Sequence, residues 1–172
     1  MSGSEDRLTS AAGSVALLMV LNKPVYPIYV WFLANSMFHA SLISLASLWL
    51  YIAVWLMARG GIGLKARAGL VITGTLDTIV IAIGLGPGSG ALWFLFPCLM
   101  LAASLFYAEE KWLSRTMVAA VFVAFIALLG RYGNPPVDDA ALRNLFALNV
   151  SGAAALAAFI ALRFPRIAAN RR

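Results

Sequence analysis

LNKPVYPIYVWF, Leu21 to Phe32, sets a lysine and two prolines inside an otherwise apolar run. With its flanks the run is long enough for a membrane-embedded helix, which takes roughly 20 mostly apolar residues. A charge at that depth needs a partner, and each proline removes a backbone donor that lipid cannot replace. Intramembrane charges face the bundle interior and mark functional sites, so Lys23 is the first place to look for function.

The surrounding chain has the composition of a small helical membrane bundle. Of 172 residues, 62% are hydrophobic and 12% charged, with a mean hydropathy of +0.88. A soluble domain is nearer half apolar and about a quarter charged. The surplus apolar side chains exceed one soluble core, and lipid must cover the rest. The class is therefore all-α, a single integral membrane domain over residues 1–172. MSGSEDRLTS, Met1 to Ser10, is polar with two acids and does not read as a cleavable signal. The single cysteine, Cys98, excludes an internal disulfide. A net charge of +6 does not point to nucleic acid here. In a membrane protein the position of each charge matters more than the sum, and the partner implied is the lipid bilayer.

Working outward, Leu8 to Met57 is too long for one crossing and divides at Ala34-Asn35-Ser36 into spans at about 11–33 and 37–57. A basic loop with Arg59, Lys65 and Arg67 precedes a third span at 68–86, closed by the turn GPGSG, Gly86 to Gly90. A fourth span, 91–107, carries Pro97, and the charged loop AEEKWLSR leads to a fifth at 113–130. The loop RYGNPPVDDAALRN holds Asp138 and Asp139, placed to cap a sixth span at 145–162. With both termini cytoplasmic, Arg7, Arg59, Lys65, Arg67, Lys111, Arg115, Arg163, Arg166, Arg171 and Arg172 lie inside. Only Arg131 and Arg143 lie outside. This asymmetry supports six spans in an inner (plasma) membrane with both ends inside. The alternative lays Leu8 to Leu21 on the membrane surface and has five spans.

Lys23 falls twelve residues into the first span, about 18 Å from its start at 1.5 Å per residue. Asp77, nine residues into the third span, lies about 13 Å from the same side. The depths agree within a turn, so the two are expected to pair if their helices are neighbours. A polar ligand pocket would then be lined by Lys23, Asp77, Thr73, Thr75 and Thr78. The competing reading lets Lys23 snorkel to the headgroups and leaves Asp77 to the threonines. His39, near the end of the second span, is a further candidate ligand residue with a pH-responsive role. As the sole histidine it cannot supply both axial ligands of a bis-histidine haem, and neither a metal nor a cofactor is expected. The glycines at 84, 86, 88 and 90 lack the Lys-Ser/Thr of a phosphate loop and read as a turn. Glu109 and Glu110, beside Lys111 and Arg115, read as a charged interfacial loop. No Ser-His-acid set, catalytic carboxylate pair or nucleotide motif is present, and no catalysis is expected of this chain. NVSGAAALAA, Asn149 to Ala158, is dense in small residues that suit helix packing inside the bundle or a homodimer seam.

ITGTLDTIVIAIGLGPGSGALWFLF (Ile72 to Phe96) has a glycine-rich turn entering an aromatic helix. LRNLFALNVSGAAALAAFIALRF (Leu142 to Phe164) is a last span with a basic exit. In these stretches and in its six short spans the chain resembles the six-helix membrane domain of bacterial class III adenylyl cyclases, a type also found before some diguanylate cyclases. The resemblance implies a receptor-like module that dimerises and signals through its last helix to a covalently linked cytoplasmic cyclase domain. The sequence departs from that family in stopping at Arg172, where a coupling helix and catalytic domain would begin. It would then be the membrane part of a larger enzyme or a standalone relative. The second functional class left open is a small transporter or channel-like protein, with a non-catalytic membrane subunit as the third.

Overall fold

The computed structural model describes residues 2–86, 88–132 and 140–163. Among these the chain is helical apart from short connections and contains no strand. Helix α1, Ser2–Leu33, runs unbroken through Pro24 and Pro27. Each proline leaves the carbonyl four residues upstream, at Val20 and Lys23, without its helical donor. The helix begins nine residues before the expected start of the first span. Ala11, Ala12, Val15 and Ala16 are fully buried, so Leu8 to Leu21 is part of the bundle and not a surface segment.

After one non-helical residue, Ala34, the chain returns as a composite rod. It comprises a 3₁₀ turn at Asn35–Met37, helix α2 at Phe38–Ser41, a 3₁₀ segment at Leu42–Ser47 and helix α3 at Leu48–Arg59. Helix α4, Gly63–Leu85, starts earlier than expected and takes Lys65 and Arg67 out of the loop. The fourth element is short: a 3₁₀ turn at Ala91–Phe94, then α5 at Leu95–Ser104, with Pro97 in its first turn. Proline is tolerated there because that N–H has no helical acceptor. Helices α6, Lys111–Tyr132, and α7, Ala140–Arg163, are longer than their expected spans. The proposed caps Asp138 and Asp139 lie outside the described residues, as do Arg166, Arg171 and Arg172.

Five helical stretches, 7–33, 35–59, 63–85, 108–129 and 140–163, are long and apolar enough to cross a membrane, and Ala91–Ser104 adds a shorter apolar helix. The chain is a multi-pass membrane protein. Large apolar side chains such as Leu21, Phe32, Trp49, Trp112 and Leu162 point outward, as a lipid solvent allows. The core is mostly small or branched: Val15, Val54, Leu70, Val71, Leu95 and Leu105 meet where α1, α3, α4 and α5 converge.

Helices α1 and α4 are parallel and in register. Thr9 stands where a Cβ on Gly63 would meet its hydroxyl at 2.7 Å. Fourteen residues further along each helix, about four turns, Lys23 meets Asp77. At the Gly86 end, Gly90 adopts φ +75, and a Cβ there would lie 2.9 Å from the Phe146 carbonyl. A side chain at position 90 is thus excluded both by backbone conformation and by α7. A Cβ on Gly152 would lie 3.1 Å from the Phe94 ring, so this part of the small-residue stretch packs inside the bundle. Ser151 and Ala155 face outward.

Candidate functional site

The lysine singled out by its depth is buried, at 3% exposure, and so is Asp77 at 7%. The Lys23 ammonium donates to both Asp77 oxygens at 2.5 Å. The Ser47 hydroxyl donates to Oδ1 at 2.6 Å and the Tyr51 hydroxyl to Oδ2 at 3.1 Å. The Lys23 nitrogen also stands 5.6 Å from the Tyr51 ring centroid. Lys23 therefore does not snorkel outward. Its charge is neutralised in place, and each carboxylate oxygen accepts two hydrogen bonds, which is what a buried pair needs to offset desolvation.

Local structure delivers these partners. In a 3₁₀ helix side chains three apart eclipse one another. Ser41, Ser44 and Ser47 therefore line one face of the Leu42–Ser47 segment, and all three are buried. Tyr51, one α-turn further on, continues the face. Gly74 on α4 admits the Cys98 sulfur and the Tyr51 hydroxyl, which would stand 3.1 and 3.7 Å from a Cβ there. A side chain at position 74 would crowd the contact between α4 and α5.

Beside the pair lies a cavity of about 60 Å³. Lys23, Ser44, Tyr51 and Asp77 form its polar wall, and Leu70, Phe94 and Leu101 are among its apolar residues. Asn149 of α7 closes it. The Asn149 amide donates to the Ser89 carbonyl at 2.7 Å, and its oxygen accepts from the Tyr26 hydroxyl at 3.0 Å. One side chain thus ties α7 to α1 and to the turn after α4. The Ser44 hydroxyl is buried without a hydrogen-bond partner.

Of the candidate residues, Lys23, Asp77 and Thr78 line the cavity. Thr75 is buried and donates to the Val71 carbonyl, as Thr78 does to Gly74, so neither hydroxyl is committed to the ion pair. Thr73 is buried but does not line the cavity. His39 is exposed, with its ring against Phe38, well outside the site. It does not line the cavity with Lys23, Asp77 and Thr78. Ser44, Ser47, Tyr51, Tyr26 and Asn149 were missed. The three-residue spacing of serines 41, 44 and 47 could have revealed part of that set.

A second buried charge sits near the start of α4. Arg67, 2% exposed, pairs bidentately with Glu110 at 2.7 and 2.8 Å and donates to the Leu105 carbonyl at 2.9 Å. Its guanidinium stacks 4.7 Å from the Tyr107 ring centroid. Glu110 accepts from the Tyr107 amide as well. The expected charged interfacial loop is, at Glu110, a latch joining α4 to the α5–α6 connection. No group of residues among those described could hold a metal ion. No protein-family model, curated protein or solved structure matches the chain, so what the site does must be argued from its geometry.

Proposed function

We propose that the chain is a membrane-embedded sensory module whose Lys23–Asp77 cavity takes a small ligand and reports it through α7. The observation that carries this reading is the position of Asn149. It lines the cavity on the last helix and is bonded to both α1 and the α4–α5 turn. A guest in the cavity meets the side chain that holds α7 in place. Such a ligand shifts the helix only by its differential affinity for two arrangements. In this proposal both termini are cytoplasmic, the membrane is the plasma membrane, the chain forms a homodimer, and the signal passes from α7 to a cytoplasmic effector such as a cyclase domain.

The test is a spin-label distance between exposed positions 46 and 155, on the composite rod and α7, in a Cys98→Ser background in liposomes. Lys23→Ala is expected to move or broaden that distance by about 1–2 Å, the scale of helix shifts in switching proteins. An unchanged distribution in a folded variant removes the sensory reading.

A second reading draws on the ion pair itself. A buried Lys–Asp pair within a span is the arrangement from which proton or ion pathways are built. Proton or anion flux into liposomes above the level of empty vesicles, abolished by Asp77→Asn, would favour a transporter instead.

A further inference from the structure

We infer that the cavity receives the head of a neutral, monohydroxylic molecule, an aliphatic alcohol, which reaches it from the bilayer between α1 and α7. This rests on the cavity being a ligand site, as proposed above, and adds the chemical class. Charge accounting supplies the first part. Lys23 and Asp77 cancel, and each Asp77 oxygen already accepts from two donors. A charged guest would be an uncompensated charge in an apolar enclosure, or would have to break the pair. The second part comes from Ser44, 1% exposed, lining the cavity with its hydroxyl unpartnered. A hydroxyl both donates and accepts, and another hydroxyl satisfies it in either sense. Such an orphan in a folded interior calls for an occupant.

Size and access set the rest. About 60 Å³ holds a head of only a few heavy atoms, so a longer molecule must extend outward. The half-buried lining residues are Met19 and Tyr26 on α1, Ile81 on α4, Phe94 in the following 3₁₀ turn and Leu156 on α7, and the rim is placed where α1 and α7 meet. Asn22, exposed, lies beside them. Asn22 is about 22 Å along α1 from Arg7 and about 16 Å from Leu33 at 1.5 Å per residue. That places the rim at mid-depth, where it opens toward hydrocarbon. An apolar tail is stable there and a charged or strongly polar body is not.

The experiment uses the full chain in liposomes with a diazirine-bearing aliphatic alcohol, the crosslinks being mapped by mass spectrometry. Label is expected on Tyr26, Ser44 and Leu156, competed by 1-octanol but not by octanoate or octylamine. Ser44 bonds nothing else, so Ser44→Ala keeps the fold and lowers cavity label by roughly three- to tenfold, the equivalent of one hydrogen bond. Leu156→Trp, filling the rim, abolishes it. Label spread evenly over lipid-facing residues such as Phe122 and Val123, or equal competition by the charged analogues, overturns the inference. Cavity labelling without any response of α7 would leave this site standing and remove the sensory reading. A responsive α7 without labelling does the reverse.

Discussion

Removing one partner of the Lys23–Asp77 pair and removing both are different experiments. Asp77→Ala leaves a buried ammonium with no counter-charge and strips Ser47 and Tyr51 of their acceptor, a loss of about 3–5 kcal/mol. Replacing both, Lys23→Met with Asp77→Leu, removes two desolvation costs together and is expected to restore most of that stability. Unfolding of the detergent-solubilised variants in a double-mutant cycle checks it. A double variant as unstable as Asp77→Ala would mean that the serine and tyrosine contacts, not the charges, dominate. The pair itself was legible in the sequence, because helix rise converts position to depth and only one acid lies at a matching depth. Its hydroxyl partners were not. Nothing in a hydropathy profile separates Ser47 and Tyr51, which face Asp77, from neighbours that face lipid.

At the scale of elements, five long helices were legible from apolar length, while their internal geometry and the shortness of the fourth expected span were not. The composite rod 35–59 alternates 3₁₀ and α turns, and that alternation puts three serines on one buried face, from which Ser47 reaches Asp77 of α4. An ideal α-helix would spread residues three apart by about 60° around its axis. Pro24 and Pro27 lie inside an unbroken α1, as expected of prolines in a membrane-embedded helix whose neighbours can re-satisfy the freed carbonyls. The latch at the start of α4 was also hidden, because an arginine beside apparent loop residues reads as solvated. Arg67→Ala is expected to cost about 3–5 kcal/mol by stranding a half-buried Glu110 and the Leu105 carbonyl. Arg67→Lys should recover little, since a single ammonium does not reproduce the two-pronged contact. Thermal unfolding and protease sensitivity of the 105–111 connection would check both. A neutral Arg67→Ala would show that the connection is held by its packing instead.

For the whole molecule, the arrangement gathers Arg7, Arg59, Lys65, Lys111, Arg115 and Arg163 at the end of the bundle where α1 and α4 begin and α3, α5 and α7 finish. If that end is cytoplasmic, as the positive-inside tendency favours, single cysteines at Lys65, Lys111 and Arg163 in intact cells will resist a membrane-impermeant thiol reagent. Cysteines at Gly86 and Arg143 will react with it. The opposite pattern would invert the protein and place the proposed signalling exit on the wrong side.

The matched contacts of α1 and α4 carry a different kind of consequence, for how such a chain can change over time. Thr9 at Gly63 and Lys23 at Asp77 fix two points an equal distance apart on two parallel helices. Losing one residue between them on either helix alone swings the distal partner by about 100° and draws it back by about 1.5 Å. The shifted residue would then turn away from its partner, which stays buried without its counter-charge. Only an equal loss on the other helix restores the match. An insertion or deletion in one of these two segments is therefore expected to be tolerated only when it is mirrored in the other.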